Sequence, residues 1–122
     1  MLELIKRLYP ICRSITGGGV RQTLDILESH IAIERHEIAS GTHVFDWTIP
    51  DEWNLSRAWI KDSAGNVVVD TAVHNLHVVN YSEPQHTTMS LEALSPHLHS
   101  LPATPDWIPY RTTYYKRDWG FC

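Results

Sequence analysis

Apolar residues recur at helical spacing through the first 36 residues of the chain. A short first helix is predicted there, and Pro10 is expected to end it because proline has no backbone N–H to donate. A second helix is predicted to begin near Gly19 and to be buried along one face. Its apolar stripe, with steps of four, three and four residues, consists of Val20, Leu24, Leu27 and Ile31. Residues 1–36 are therefore interpreted as a helical head.

The pattern changes after His36, where short runs with a period of two replace helical spacing. The predicted strands cover residues 44–49, 58–62, 66–70, 75–81 and 110–115. The second and third of these strands form a hairpin, because the turn residues Ser63-Ala64-Gly65 separate them. Residues 37–122 are therefore interpreted as a β-rich body with a sandwich- or barrel-like layout, and the whole chain as an α+β protein.

Prolines divide the last third of the chain. Ser90 is expected to cap a short helix that Pro96 limits. Residues 101–109 are predicted to form an ordered loop, since Trp107 is expected to be buried. The final run, residues 119–122, is apolar although termini tend to be polar, and it resembles a strand that has been cut.

The chain has 122 residues, of which 43% are hydrophobic, enough for the core of one ordinary domain or of one small domain plus part of another. Ten lysines and arginines are scattered among fourteen acids, so neither nucleic acid nor an anionic membrane is an expected partner. No apolar run reaches the roughly 20 residues of a membrane span, and no signal-peptide core is present. Cys12 and Cys122 lie far apart, which favours reduced thiols and a cytoplasmic location.

Eight histidines raise the question of a metal site. The close pairs are His74 with His77 and His97 with His99, and neither belongs to the HExxH segment of a metalloprotease helix. Surface imidazoles are the favoured interpretation, because spacing alone does not supply the three or four convergent ligands that zinc requires.

The glycine run at residues 17–19, just before the second predicted helix, has two interpretations. Backbone N–H groups at a helix start can hold an anion, here with Arg13 beside them. A plain turn is favoured, since Val20-Arg21 stands where a phosphate-binding loop has Lys-Ser or Lys-Thr.

Aromatic residues supply two further candidate sites. Within residues 110–115, Arg111 among three tyrosines can clamp a carboxylate, and an amphipathic strand with one wet face is an equal alternative. Tryptophans close to Asp46, Asp51 and Glu52 fit a glycoside hydrolase or a carbohydrate-binding surface. Core tryptophans of a small β-domain are the favoured interpretation. The candidate tryptophans of a stand-alone carbohydrate-binding module are Trp47, Trp53, Trp59 and Trp107.

Four long runs of the chain, taken together and in order, resemble one bacterial family. They are residues 7–17 (RLYPICRSITG), 41–53 (GTHVFDWTIPDEW), 75–84 (NLHVVNYSEP), and 108–115 (IPYRTTYY) with 119–122 (WGFC). They are similar to aminopeptidase-like proteins that carry an inserted domain of unknown function, often labelled polysaccharide-biosynthesis proteins with an aminopeptidase-like domain. The resemblance covers nearly the whole chain.

The resemblance implies that the chain contains parts of two domains. Residues 1–36 would start a zinc-dependent exopeptidase-like domain, and residues 37–122 would be an accessory domain inserted into it. The family's zinc ligands lie later in the protein, so no catalytic or metal-binding residue is assigned here and the fragment alone is expected to be inactive. Tyr110, Arg111 and Tyr114 are the candidate substrate-binding residues at the border of the cleft. The expected partner is the remainder of the aminopeptidase-like domain, with self-association as an alternative.

Overall fold

A computed structural model describes the whole chain, Met1–Cys122, as a mixed α/β protein with three α-helices and two antiparallel sheets of two strands each. The chain divides into two compact units, Met1–Leu55 (unit 1) and Ser56–Cys122 (unit 2). The α-helices are α1 (Leu2–Leu8), α2 (Gly18–Glu28) and α3 (Leu91–Leu94). The strands are β1 (His43–Val44), β2 (Trp47–Thr48), β3 (Trp59–Lys61) and β4 (Val67–Asp70), and 3-10 helices cover Asn75–His77 and Ser95–His97. No helix combines the length and the apolar character needed to cross a bilayer.

The two helices of unit 1 begin and end close to where the sequence predicts. After α1 ends, the Arg13 guanidinium donates to the Leu8 carbonyl at 2.7 Å and so satisfies one of the unpaired acceptors at the helix end. The first N–H of α2, on Gly18, donates to Asn54 Oδ1 at 2.7 Å. The predicted apolar stripe is wrong at its last residue, because α2 ends at Glu28 and Ile31 is 60% exposed.

Exposed ion pairs connect α2 to the irregular segment that follows it. Arg21 bonds Glu37 at 3.1 Å and also forms a fork with Glu52. Arg35 reaches back to Asp25 at 2.6 Å and to Glu28. Surface pairs of this kind add little stability individually, so their effect is to orient the segment rather than to drive folding.

The predicted strand at residues 44–49 is wrong, because this segment folds into a tight hairpin. β1 pairs with β2 through Val44 opposite Trp47, and Phe45 and Asp46 make the turn between them. Phe45 has φ of 55°, a left-handed conformation that bulky residues rarely adopt. A period of two therefore continued across a chain reversal that the side-chain pattern did not reveal.

The second hairpin, of β3 and β4, is confirmed. Trp59 lies opposite Asp70 and Ile60 opposite Val69, with a register irregularity after Ile60. The β3–β4 hairpin belongs to unit 2.

The core of unit 2 is a set of four short segments joined by isolated bridges. Val78 pairs with Phe121, Phe121 also pairs with Leu98, and Asn80 pairs with Thr112. The buried residues of the unit lie at these pairings and are Val78, Val79, Asn80, Thr113 and Gly120. The predicted strand at 75–81 is therefore wrong in its first half, where a 3-10 helix stands, and only its second half pairs with other segments.

Two expectations for the proline-rich region have opposite outcomes. The cap at Ser90 is confirmed, since its hydroxyl accepts from the Ala93 N–H at 3.2 Å. Residues 101–109 contain turns, as expected of an ordered loop, but Trp107 is 69% exposed and its predicted burial is wrong.

Candidate functional site

The strand predicted at residues 110–115 is wrong in its second half, where a turn with two central tyrosines stands, whereas Thr112 pairs with Asn80. Tyr114 and Tyr115 have φ of 54° and 65°, and the Lys116 N–H donates to the Thr113 carbonyl at 3.2 Å. Turns with positive φ at both central positions strongly favour asparagine, aspartate and glycine. We call residues 113–116 the tyrosine turn.

Backbone pairing to Asn80 fixes the start of the tyrosine turn. The Asn80 N–H donates to the Arg111 carbonyl at 2.8 Å, and the Thr113 N–H donates to the Asn80 carbonyl at 3.0 Å. Thr113 is only 8% exposed. The Tyr115 ring then packs edge-on against Tyr81, with centroids 4.7 Å apart and planes at 90°. These contacts impose a conformation that the tyrosines would not adopt alone.

The tyrosine turn stores conformational strain. A left-handed conformation costs a non-glycine residue about 1–2 kcal/mol, and the turn holds two such residues. Tyr81, packed against it, is a third, with φ of 68°. Strained backbone of this kind concentrates at binding and catalytic sites, where an otherwise unfavourable conformation is retained for function.

Three phenols lie close together at this turn. Burial raises the pKa of Tyr115, and neighbouring Tyr81 and Tyr110 raise it further. Tyr110 and Tyr114 keep 65% and 77% of their surface exposed. The exposed rings of Tyr110 and Tyr114 can therefore contact a ligand, while the Tyr115 ring packs against Tyr81.

The positive charge of Arg111 influences the pKa of two groups from other segments. Burial lowers the pKa of His99, and the positive charge of Arg111 lowers it further. Burial raises the pKa of the Cys122 thiol, and Arg111 opposes that rise.

The predicted substrate-binding residues Tyr110, Arg111 and Tyr114 share one loop of unit 2. Their role in binding stays a prediction, since proximity along a loop does not identify a ligand. The structure adds Tyr81 and Tyr115 to their surroundings.

The histidines are distributed over structural contacts. His77 Nδ1 lies 2.8 Å from the Cys122 carbonyl, and His97 Nδ1 lies 2.9 Å from the Trp119 carbonyl. The His97 ring also stacks on Trp119 with centroids 3.8 Å apart. No three His, Cys, Asp or Glu side chains come together as a metal-binding group, so these residues do not assemble the ligand set that zinc requires.

At the glycine run, protein groups occupy the proposed anion-binding positions. Asn54 Oδ1 accepts from the Gly18 N–H, and Arg13 bonds the Leu8 carbonyl. An open cleft of about 460 Å³ lies beside the run, lined in part by Cys12. Burial raises the pKa of the Cys12 thiol, which keeps it protonated and poorly nucleophilic. The plain-turn interpretation accounts for these contacts.

The four candidate sugar-binding tryptophans are divided between the units. Trp47 and Trp53 belong to unit 1, and Trp53 is half-buried. Trp59 and Trp107 belong to unit 2, where the Arg57 guanidinium lies 5.4 Å from the Trp59 ring centroid. Each unit therefore has at least one tryptophan side chain exposed at its surface.

Comparison with known proteins gives consistent results. Residues 52–122 match the family described as Domain of unknown function (DUF2172). The chain is 56% identical over 119 residues to a candidate polysaccharide biosynthesis protein with an aminopeptidase-like domain from Clostridium acetobutylicum, covering 98% of this chain and 27% of the relative. It also superposes with a TM-score of 0.93 on the crystal structure of a candidate peptidase from Clostridium acetobutylicum, at 55% identity, covering 98% of this chain and 28% of that one. The chain thus spans about a quarter of the length of the relatives it matches.

Proposed function

Because the chain belongs to the family described as Domain of unknown function (DUF2172), we propose that it is the accessory-domain part of an aminopeptidase-like hydrolase and that its tyrosine turn contacts the substrate. The observation that carries the proposal is the 56% identity, over 98% of the chain, to a relative named for an aminopeptidase-like domain. The reaction of the whole protein would be hydrolysis of an N-terminal peptide bond, or of a related amide on a polysaccharide precursor.

The proposed hydrolase is zinc-dependent, with its metal held by residues outside the 122 described here. Zinc would polarise the scissile carbonyl and activate a water molecule. The side chains of this chain do not fit a zinc site, since no three potential ligands converge. We therefore assign to this chain the positioning of substrate, by the exposed rings of Tyr110 and Tyr114, and no step at the metal.

The amount of exposed surface supports a partner for this chain. The chain exposes 9284 Å², whereas two separate folded units of half its 14.0 kDa mass would expose about 8,100 Å² together. Exposed apolar residues of α1 and its C-terminal end, Leu2, Ile5 and Tyr9, contribute to this surface. We propose that the remainder of the aminopeptidase-like domain covers them, with self-association of the chain as the alternative.

A chimeric enzyme tests the proposed function. Residues 1–122 replace the matching segment of the Clostridium acetobutylicum relative, and aminoacyl-arylamide hydrolysis is measured with added zinc. We expect turnover by the chimera, none by the 122-residue chain alone, and about tenfold lower kcat/KM for the chimera with Tyr114→Ala, equal to about 1.4 kcal/mol of lost transition-state stabilisation.

Three results of that experiment would contradict the proposal. Turnover by the 122-residue chain would show that catalysis does not need further residues. A relative that hydrolyses no aminoacyl or peptide substrate would remove the activity itself. Unchanged kcat/KM in the Tyr114→Ala chimera, with Phe45→Ala as the exposed aromatic control, would remove the turn from the substrate site.

A carbohydrate-binding module is the second candidate function, favoured by the exposed indole faces of Trp47, Trp59 and Trp107. Titration of the 122-residue chain with a glycan panel, followed by tryptophan fluorescence, should then give saturable changes that disappear in the corresponding Trp→Ala variant. No response across the panel would leave the hydrolase accessory role as the better explanation.

The finer organisation remains part of the proposal. We place the start of the peptidase-like domain in residues 1–36 and the inserted domain in residues 37–122, with a sandwich- or barrel-like layout in the assembled protein. A cytoplasmic location agrees with the free thiols of Cys12 and Cys122.

A further inference from the structure

We propose that Arg57, Trp59 and Lys61 form a binding surface for a saccharide that carries a negative charge. We call these three residues the β3 surface. The β3 surface would serve the carbohydrate-binding module, the second candidate function, on which the proposal rests. The proposal adds the chemical class of the glycan and the residues that recognise it, and it does not depend on hydrolysis by the whole protein.

The three side chains lie on one exposed face of the β3–β4 hairpin. Alternate residues of a strand point to the same side, and burial along β3 agrees, since Trp59 and Lys61 are exposed while Ile60 between them is half-buried. Arg57 joins this face, because its guanidinium carbon lies 5.4 Å from the centroid of the Trp59 ring. The face therefore presents one indole with a cationic side chain on each side of it along the strand.

Asp70 of β4 holds the Arg57 side chain in place. Asp70 lies opposite Trp59 in the strand register, and its carboxylate accepts from Arg57 Nη2 at 2.6 Å and from Arg57 Nε at 3.2 Å. The Ala72 N–H donates to the same carboxylate at 2.9 Å, and the Asp70 side chain is only 11% exposed. The hydrogen bonds from Arg57 lower the pKa of Asp70, which keeps this anchor charged. A guanidinium that is already ordered loses less conformational entropy when it binds a ligand.

Both cations of the β3 surface keep donors that the protein does not use. A guanidinium has five N–H donors, and the two bonds to Asp70 leave Nη1 and one hydrogen of Nη2 available on the exposed Arg57 side chain. The Lys61 ammonium has no partner in the protein, since the neighbouring Asp62 carboxylate accepts from N–H groups of its own turn. Two cations and one carboxylate give this face a charge of +1, although the chain as a whole has a charge of -4.

These groups match an anionic sugar better than a neutral sugar or an acidic peptide. The C–H face of a sugar ring packs on an indole, and Trp59 is 49% exposed. A planar guanidinium binds a carboxylate or a phosphate through parallel hydrogen bonds, and an ammonium adds a point charge. Residues four apart on a strand are separated by about 13–14 Å, so the indole has room between the two cations. A neutral sugar would leave both charges unused, and an acidic peptide has no sugar ring to pack on the indole.

Matched ligand pairs test the β3 surface on the 122-residue chain by chemical-shift mapping. The two members of a pair differ only in the anionic group: trigalacturonate against its methyl ester, and glucose 6-phosphate against glucose. We expect saturable shifts of the Trp59 indole N–H and of the Lys61 and Asp70 amides with at least one anionic saccharide, and with neither neutral partner. The pair that responds identifies a carboxylate or a phosphate as the anionic group.

Substitutions separate the role of the indole from that of the charge. Trp59→Ala should weaken binding by about tenfold, whereas Phe45→Ala, which removes an exposed aromatic ring from unit 1, should leave it unchanged. Lys61→Gln should weaken binding by about threefold, as expected for one exposed charge. Lys6→Gln is its control, because it removes the same charge from an exposed lysine of unit 1.

Arg57→Lys tests the guanidinium without removing the positive charge beside Asp70. Arg57→Gln would leave the Asp70 carboxylate without its counter-ion and could unfold the hairpin. The lysine variant keeps the charge but lacks the planar fork, so it should bind about fivefold more weakly than the parent. Its amide spectrum without ligand should remain that of the folded chain.

The proposal is overturned if no anionic saccharide shifts these signals, if neutral and anionic saccharides shift them equally, or if Trp59→Ala binds as the parent does. It is also overturned if pentaglutamate shifts them as strongly as the anionic saccharides, because charge alone would then explain binding. Saturable binding of neutral glycans at Trp47 or Trp107 would keep the carbohydrate-binding module and reject the β3 surface. None of these results bears on hydrolysis by the chimera.

Discussion

Two turns of unit 2 both contain left-handed backbone positions, but one fills its position with glycine and the other with tyrosines. The turn between β3 and β4 has glycine at its left-handed position, Gly65 with φ of 88°, and Asp62 accepts from the N–H groups of Ala64 and Asn66 at 2.9 Å each. The tyrosine turn places Tyr114 and Tyr115 in left-handed conformations. The first turn satisfies local preferences, and the second violates them.

The difference shows which features of the unit serve stability and which need another explanation. Residues of the β3–β4 turn hold one another, as the lowered pKa of Asp62, caused first by its bond to the Asn66 side chain, indicates. The tyrosine turn is held from outside, by Asn80 and Tyr81. A conformation imposed from outside at an energetic cost is what is expected where ligand contact has selected the residues.

The largest expected effect comes from overpacking at Gly120, whose carbonyl accepts from the Val79 N–H in the core of unit 2. In Gly120→Ala the new Cβ would lie 2.8 Å from the His97 carbonyl oxygen, and such overpacking costs about 1–3 kcal/mol. Urea denaturation should show this loss. Amide exchange should accelerate at residues 78–80 and 111–113 while the β3–β4 hairpin stays protected, and equal acceleration in both would contradict the separation of the two regions.

Gly65→Ala should destabilise the β3–β4 turn through its backbone conformation alone. No atom lies within 4 Å of the added Cβ, so the expected loss of about 1–2 kcal/mol arises from the left-handed backbone. Thermal denaturation should show a smaller loss for Gly65→Asn, because asparagine tolerates this conformation better. Equal losses for both variants would point to a steric cause instead.

Tyr114→Gly should raise the stability of the protein, unlike the two preceding substitutions. Release of left-handed strain, less the greater entropy of glycine in the unfolded chain, should stabilise the protein by about 0.5–1 kcal/mol. Denaturation midpoints check this, with Tyr110→Gly as the control, because Tyr110 has no positive φ and should only lose stability. If Tyr114→Gly destabilises as Tyr110→Gly does, the turn is not strained and the comparison fails.

The smallest effect is a dependence of stability on pH that arises from His99. Burial, and then Arg111, lowers the pKa of His99 below its ordinary value of 6.5. Below pH 6.5 the unfolded chain therefore binds more protons than the folded one, and stability falls as pH falls through 6.5 toward the folded pKa. Urea midpoints at pH 7.5 and 5.5 should differ less in His99→Gln than in the parent or in the exposed-residue control His30→Gln.

The sequence was informative wherever structure is decided by neighbours along the chain. The two long helices, the cap at Ser90 and the hairpin at Gly65 follow from local spacing and turn chemistry, and each was predicted. The turn at Phe45 and the tyrosine turn were missed for one physical reason: both place aromatic residues where local preference predicts none. The pairing of Val78 with Phe121 was also out of reach, because it joins segments far apart in sequence.

The non-local bridges of unit 2 also determine when its segments can pair during translation. His77 meets Cys122, 45 residues further along the chain, and Ser82 meets Gly120, 38 residues further. The β3–β4 hairpin can close as soon as it is made, but the backbone of residues 77–80 must wait for the last segment. At about 5–20 residues per second, that wait lasts about 2–9 s. During this interval the nascent chain presents Val78 and Val79 beside unpaired backbone, a short-lived edge to which a chaperone or another nascent chain can bind.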